Sequence, residues 1–290
     1  MSRLPVRVEF HGVRGSTPCA GPQYARYGGH SSCVSLSVDE GPPIIFDLGT
    51  GLTPFGMLVG GAAHGFTGHA LLTHLHWDHV QGLPFFTPLH HPDSNLTVYA
   101  PSQAEGPVGE VFGRIMQPPY FPITMQQLHG NVEFCDAGDD DFSIGDALVR
   151  SRFVPHVGPT LGFRVDWNGV SVAYVSDHGQ GCCGAVSDDW ISDPVLELCD
   201  GADLVIHDAQ HTAPEFDHKR DWGHCSFDFA VHVARAAGAR RLALFHHCPS
   251  HGDDVIDRIL LEARDASDRT NGPDVFAAAE GLKVDLEART

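Results

Sequence analysis

Nine consecutive residues, Leu71-Leu72-Thr73-His74-Leu75-His76-Trp77-Asp78-His79, constrain this 290-residue chain more than any other feature. An apolar run that reads as a buried strand stops there, and three imidazoles and a carboxylate follow at H-x-H-x-D-H spacing. With 20 histidines and 27 aspartates in the chain, chance supplies about 0.01 such matches. Zinc and similar divalent ions need several N or O ligands converging at about 2.0–2.2 Å, and a strand-end loop can turn alternate side chains inward. The spacing predicts that His74 and His76 share one ion while Asp78 and His79 serve a second. Four such groups gathered without a cation would have little reason to converge.

Short apolar, β-rich runs alternate with Gly and Pro turns through the first two-thirds: Val6 to Phe10, Cys33 to Val38, Ile44 to Asp47, Ala70 to Thr73, Leu96 to Tyr99, Leu148 to Val154, Leu161 to Trp167 and Val170 to Val175. Helical periodicity dominates later. Phe227 to Ala237 ends at Gly238, and Val255, Ile256, Ile259, Leu260 and Ala263 fall on one helical face. Strands at Leu204 to Ile206 and Leu242 to Phe245 alternate with these helices, an α/β order. The Pro- and Gly-rich stretch Gly82 to Pro122 and the acidic stretch Asp136 to Asp146 read as surface loops or short insertions. No boundary or repeat divides the chain, so a single domain over residues 1–290 is expected.

Composition narrows the function. No apolar run nears 18 residues and MSRLPVRVEF lacks a signal-peptide core, so neither a membrane span nor secretion is supported and a cytoplasmic location is expected. A net charge of −19, from 18 Lys+Arg against 37 Asp+Glu, repels a polyanion and disfavours an extended nucleic-acid footprint. Eight cysteines, Cys19, Cys33, Cys135, Cys182, Cys183, Cys199, Cys225 and Cys248, form no C-x-x-C pair and read as reduced, mostly buried thiols. Twenty histidines exceed what packing requires and point to metal or acid–base chemistry.

The H-x-H-x-D-H segment resembles that of the metallo-β-lactamase fold superfamily of dinuclear hydrolases, whose fold is an α/β four-layer αββα sandwich. The remaining ligands of that fold come one at a time from the ends of later strands. Apolar runs here end at His156 in Val-Pro-His-Val-Gly, Asp177 in Tyr-Val-Ser-Asp-His and His246 in Leu-Phe-His-His-Cys-Pro. The resemblance covers residues 6 to 285 and implies two divalent metal ions, zinc first, with manganese or iron as alternatives. It assigns His74, His76 and His156 to the first ion, Asp78, His79 and His246 to the second, and Asp177 as a carboxylate bridging both. His247 beside His246 and His178 beside Asp177 are competing donors, and the Leu-x-Leu-x-His-x-x-Pro register favours His246. His64, His90, His91, His129, His218 and His251 are read as structural.

Class B β-lactamases carry a Cys where this chain has Asp177, which disfavours antibiotic hydrolysis. The segments Gly12 to Pro18, Arg26 to Cys33 and Phe46 to Gly51 resemble the N-terminal region of the tRNase Z, PhnP-type and cyclic-nucleotide phosphodiesterase relatives. Ile206-His207-Asp208-Ala209-Gln210 and Gly223-His224-Cys225-Ser226 are similar to the HEAT and HST motifs of the tRNase Z group, in which an acidic residue and a histidine relay a proton to the leaving group. Asp208 stands for Glu, Gln210 for Thr and Cys225-Ser226 for Ser-Thr. The resemblance thus implies Asp208 and His224 as the relay, and Asp78 as a ligand that also orients a hydroxide shared by the ions. The tRNase Z enzymes with a tRNA-gripping arm insert it between the positions of His156 and Asp177, and the 21 positions here hold only two strands and a turn.

The expected function is hydrolysis of a small phosphodiester, a cyclic nucleotide or cyclic phosphate. A tRNase Z-like RNA 3′-end endonuclease and a lactone, thioester or lactam hydrolase are the alternatives. Arg14, Lys219 and Arg220 read as solvated surface cations, with substrate contact the other reading. Gln117 to Pro122 reads equally as pocket wall and as ordinary loop packing. A homodimer is left open.

Overall fold

The computed structural model describes residues 4–39, 41–181 and 187–288. Strands β1 (Val6–Gly12), β2 (Cys33–Ser37), β3 (Ile44–Phe46), β4 (Thr67–Leu71), β5 (Asn95–Pro101) and β6 (Asn131–Ala137) build the first sheet, with a C-terminal strand at Lys283–Leu286 on its outer edge. Strands β7 (Asp140–Ile144), β8 (Ala147–Phe153), β9 (Leu161–Trp167), β10 (Val170–Val175), β11 (Leu204–Asp208), β12 (Arg241–Phe245) and β13 (Asp274–Ala277) build the second. With the C-terminal strand as β14, the orders are β14-β1-β2-β3-β4-β5-β6 and β13-β12-β11-β10-β9-β8-β7. Each sheet has three antiparallel pairings at one end and three parallel ones at the other, antiparallel first in the first order and parallel first in the second.

Strand periodicity explains the layering, because alternate side chains enter opposite faces. Val170, Val172 and Tyr174 of β10 join the core between the sheets, whereas Ala173 and Val175 enter the core under the helices. β12 repeats the pattern with Ala243 and Phe245 on one side and Leu242 and Leu244 on the other. On the first sheet, Ile44 and Phe46 face the inter-sheet core and Ile45 faces the outer one. The result is the αββα sandwich that the sequence resemblance implies.

The helices are α1 (Leu52–Leu58), α2 (Trp77–Val80), α3 (Val108–Gly113), α4 (Asp193–Cys199), α5 (Ala213–Lys219), α6 (Phe227–Ala236) and α7 (Asp253–Arg269). α6 starts where the Ser226 hydroxyl accepts the Phe229 N–H at 3.3 Å. α7 carries Asp253 and Asp254 in its first turn and Arg269 in its last, complementing the helix dipole, and buries Ile256, Ile259 and Ala263. Among the described residues, no helix is long and apolar enough to cross a membrane.

Two loop readings are overturned. The acidic stretch Asp136 to Asp146 contains the end of β6 and all of β7, which are the edge strands of the two sheets. Its carboxylates face outward while Ile144 is buried and Phe142 stacks on Tyr99 at 4.8 Å, so charge here marks a protected sheet edge. Gly82 to Pro122 buries Leu83, Phe86, Leu89, Val108 and Phe112 in the outer core of the first sheet. Cys33, Cys199, Cys225 and Cys248 are buried free thiols and Cys19 and Cys135 half-buried ones; Cys182 and Cys183 lie outside the described residues.

Phe46 closes the inter-sheet core against Tyr174, ring centroids 4.6 Å apart and nearly parallel. Phe46→Ala is expected to cost about 3–5 kcal/mol, read as a lower urea midpoint at unchanged slope; a shift under about 1 kcal/mol would mean that the two sheets do not depend on this contact.

Candidate metal centre

Parallel pairing aligns the carboxyl ends of β10, β11 and β12, with Val175 opposite His207 and Asp208 opposite Phe245. Asp177, Asp208 and His246 therefore emerge side by side. The loop after β4 brings His74, His76, Asp78 and His79 from the first sheet, and His156 follows β8. Among the described residues four groups of three donors result, the atoms in each within 4.8 Å of one another: His74, His76 and His156; His74, His79 and Asp177; Asp78, His79 and His246; Asp177, His224 and His246.

Asp177 divides its two oxygens between two imidazole groups. Oδ2 lies 3.8 Å from His74 Nε2 and 3.7 Å from His156 Nε2, while Oδ1 lies 3.1 Å from His79 Nε2 and 3.5 Å from His246 Nε2. Asp78 Oδ2 is 3.3 Å from His79 Nε2 and 3.1 Å from His246 Nε2. His76 Nδ1 closes the other group at 3.4 Å from His156 Nε2.

The opposite ring nitrogens are occupied, which fixes which lone pair faces inward. His74 Nδ1 is 3.0 Å from Thr73 Oγ1, His79 Nδ1 is 2.8 Å from Asp47 Oδ2, and His156 Nδ1 donates to the Gly223 carbonyl at 2.6 Å. The Gln210 carboxamide sits 3.2 Å from His246 Nδ1. His74 Nε2, His79 Nε2 and Asp177 Oδ1 are buried without a hydrogen-bond partner. Native interiors rarely leave such atoms unpaired, and divalent cations bound among them would satisfy all three. The donor set fits divalent metal.

Electrostatics divide the imidazoles: burial lowers His79, but the charges of Asp78, Asp177 and Asp47 outweigh it and hold that ring above the ordinary imidazole range in the absence of a cation. Burial keeps His74, His76 and His156 below the ordinary imidazole range and hence neutral, the form that ligates. Burial alone would raise Asp78 and Asp177, but the facing imidazoles outweigh it and hold both below the usual carboxylate range, His79 leading for Asp78 and His246 for Asp177.

Beside the cluster, His224 Nδ1 donates to Asp208 Oδ2 at 2.9 Å. Asp208 is fully buried and also accepts the backbone N–H groups of His178 at 3.1 Å and Gln210 at 2.9 Å. Burial lowers the His224 pKa, yet the charge and hydrogen bond of Asp208 outweigh it and raise the value overall. A cavity of about 460 Å³ opens over this end, lined by Ser16, Leu75, His76, Trp77, Asp78, Asp177 and His224.

The competing donors are used elsewhere. His247 Nε2 donates to the Ala278 carbonyl at 2.9 Å, and His178 Nδ1 pairs with His207 Nε2 at 3.0 Å. His251 contacts Glu215 at 2.8 Å and His129 the His90 carbonyl at 2.9 Å. Arg14 is not a surface cation: it is fully buried and donates to the carbonyls of Gly28 and His251, each at 2.7 Å, tying the N-terminal loop to the segment after β12. Arg220 pairs with Asp188 and Asp217, and the Lys219 ammonium sits 5.3 Å from the Trp222 ring centroid. None of Gln117 to Pro122 lines the cavity; Phe121 packs on Phe85, centroids 5.7 Å apart.

Sequence reasoning missed Asp47. It is fully buried at a positive φ of 58° and accepts from Thr73 N–H at 2.8 Å, Thr73 Oγ1 at 2.9 Å, Tyr174 OH at 2.8 Å and His79 Nδ1. Its signal was a carboxylate closing an apolar strand in Ile44-Ile45-Phe46-Asp47. The Gly-rich N-terminal loop also reaches the cluster: Ser16 N–H donates to Asp78 Oδ2 at 2.6 Å, and a Cβ on Gly15 would lie 2.4 Å from His246 Nδ1.

Fold and site together define a metal-dependent hydrolase. The profile described as "Beta-lactamase superfamily domain" matches residues 68–247, and the chain belongs to that family. A protein named Ribonuclease Z from Natronomonas pharaonis is 29% identical over 322 aligned positions, covering 98% of this chain and 98% of that one. Two solved structures share the fold. The metallo-beta-lactamase fold protein YhfI from Bacillus subtilis gives a TM-score of 0.72 at 17% identity over 98% of this chain and 100% of its own. Zn(2+)-bound PqqB from Methylobacterium extorquens gives 0.66 at 16% identity over 97% and 100%.

Asp47→Asn keeps the shape but turns one of the accepting oxygens into a donor. It is expected to weaken metal affinity about 10- to 100-fold, measured by competition with a chromogenic chelator; affinity equal to wild type would show that Asp47 does not orient His79.

Proposed function

We propose that the protein is a dinuclear metal-dependent phosphodiesterase acting on a small phosphodiester, a cyclic nucleotide or cyclic phosphate. In this reading His74, His76 and His156 hold one cation, Asp78, His79 and His246 the other, and Asp177 bridges them. The observation that carries the dinuclear reading is the division of the Asp177 oxygens between two imidazole groups. Zinc suits an imidazole-rich set with carboxylates, and manganese or iron are the alternatives. When bound, two such ions neutralise phosphoryl oxygens and acidify water toward a pKa of about 7.

The chain's own groups complete the chemistry. Asp78 is held by the Ser16 N–H and faces the cavity, where it orients the attacking oxygen. Asp208 binds His224 Nδ1–H, which leaves Nε2 to hand a proton to the departing alkoxide. The raised His224 pKa favours the protonated form that this task needs.

Three features favour a small substrate. Among the described residues no Lys or Arg lines the cavity, so none of them there follows a polyanionic backbone. β9 and β10 take up the interval between His156 and Asp177, leaving no arm. The alignment with the Natronomonas protein spans 322 positions against 290 residues in this chain, so that relative carries segments with no counterpart here. That relative's name favours a second reading, an RNA 3′-end endonuclease. A cytoplasmic, single-domain enzyme is part of the same proposal.

Bis(p-nitrophenyl) phosphate is expected to be cleaved and p-nitrophenyl acetate left intact; the reverse pattern would point to carboxylic substrates, and processing of precursor tRNA to the nuclease. Replacing His224 by Ala is expected to lower turnover of an alkyl diester at least about 100-fold and to spare an aryl diester, whose leaving group needs no proton. Equal losses on both would remove the general-acid role.

A further inference from the structure

The four tryptophans divide into two kinds. Trp167 and Trp190 are half-buried, whereas Trp77 and Trp222 are each 61% exposed. Both exposed indoles are next in sequence to residues of the cluster or its supports. Trp77 stands between His76 and Asp78 at the start of α2, and Trp222 precedes Gly223, whose carbonyl holds His156. An exposed indole is a large apolar surface left in water, which marks a contact site when it borders a cavity.

The two are not equivalent. One face of the Trp222 ring is already covered by the Lys219 ammonium. Trp77 forms part of the cavity wall, and among the described residues no ring or cation is stacked on it. That lining sets the exposed Trp77 indole beside His76, Asp78, Asp177 and His224 and, among the described residues, includes no Lys or Arg that would hold a second phosphate. A ligand that satisfies this arrangement carries a single phosphate and a planar aromatic group.

We infer that Trp77 is the stacking platform for a nucleobase, so that the substrate is a nucleoside cyclic phosphate and not a base-free cyclic phosphate. The inference rests on the phosphodiesterase reading and narrows its substrate class. A π-face accepts every base, so Trp77 sets preference for a nucleotide over its abasic analogue without choosing among bases. RNA would also present a base, but the cavity lacks the cations that would follow its backbone.

Calorimetric titration of the metal-loaded protein with adenosine 5′-monophosphate and with ribose 5-phosphate tests this without requiring turnover. Wild type is expected to bind the nucleotide about 5- to 150-fold more tightly. Trp77→Ala and Trp77→Leu are expected to bring the ratio near one, and Trp77→Phe to keep most of it. Should the alanine variant fold poorly, the Leu and Phe pair still decides, because both keep apolar bulk and only Phe keeps a π-face. A wild-type ratio near one, or an unchanged ratio in Trp77→Leu, overturns the platform. Cyclic nucleotide hydrolysis is assayed separately: a retained, Trp77-dependent preference with no turnover would leave the platform standing and remove the phosphodiesterase reading.

Discussion

The Asp177 carboxylate, buried at the end of β10 with one oxygen toward each of two imidazole groups, is the constraint around which the site is organised. A carboxylate and four inward-facing imidazole nitrogens removed from water are costly in the absence of a cation. The surrounding structure is arranged to hold them there regardless. Parallel strands bring Asp177, Asp208 and His246 to one edge, and the β4 loop meets them from the opposite sheet. The sandwich therefore functions as a clamp, with four donors on the jaw of the first sheet and three on that of the second.

Orientation comes from a layer of hydrogen bonds behind the donors. Asp47, Thr73, Gly223 and Gln210 each engage the far nitrogen of one imidazole. Asp47 links the two sheets directly, accepting from Tyr174 on β10 as well as from Thr73 after β4. Packing in the inter-sheet core and orientation of the donors are thus coupled: the Phe46–Tyr174 stack lies next to the carboxylate that positions His79. A shift of the sheets would be felt at the cluster before it was felt at the surface.

The convergence of His74, His76, Asp78, His79, His156, Asp177 and His246 was legible in the sequence because each segment that carries them follows an apolar strand and their residue types are rare in that position. The choice of His246 over His247 followed from strand register, and the structure gives the reason, since His246 adopts a positive φ of 58° that turns it inward while His247 binds a backbone carbonyl. Asp47 was hidden because a supporting carboxylate has no spacing signature of its own. Arg14 was misread because a cation in a Gly-rich loop gives no sign that three carbonyls surround it. The acidic β7 was misread because edge strands and loops share the same charged composition, and only the side carrying half-buried Phe142 and buried Ile144 tells them apart.

Whether the clamp is built for a pair of cations is tested most directly by elemental analysis of gently purified protein, wild type beside Asp177→Ala. Two equivalents of divalent metal per chain are expected in the wild type, with both sites depleted in the variant because each loses the same bridging ligand. A metal-free wild type, or a variant that keeps its full complement, would contradict the assignment of Asp177 as the shared ligand.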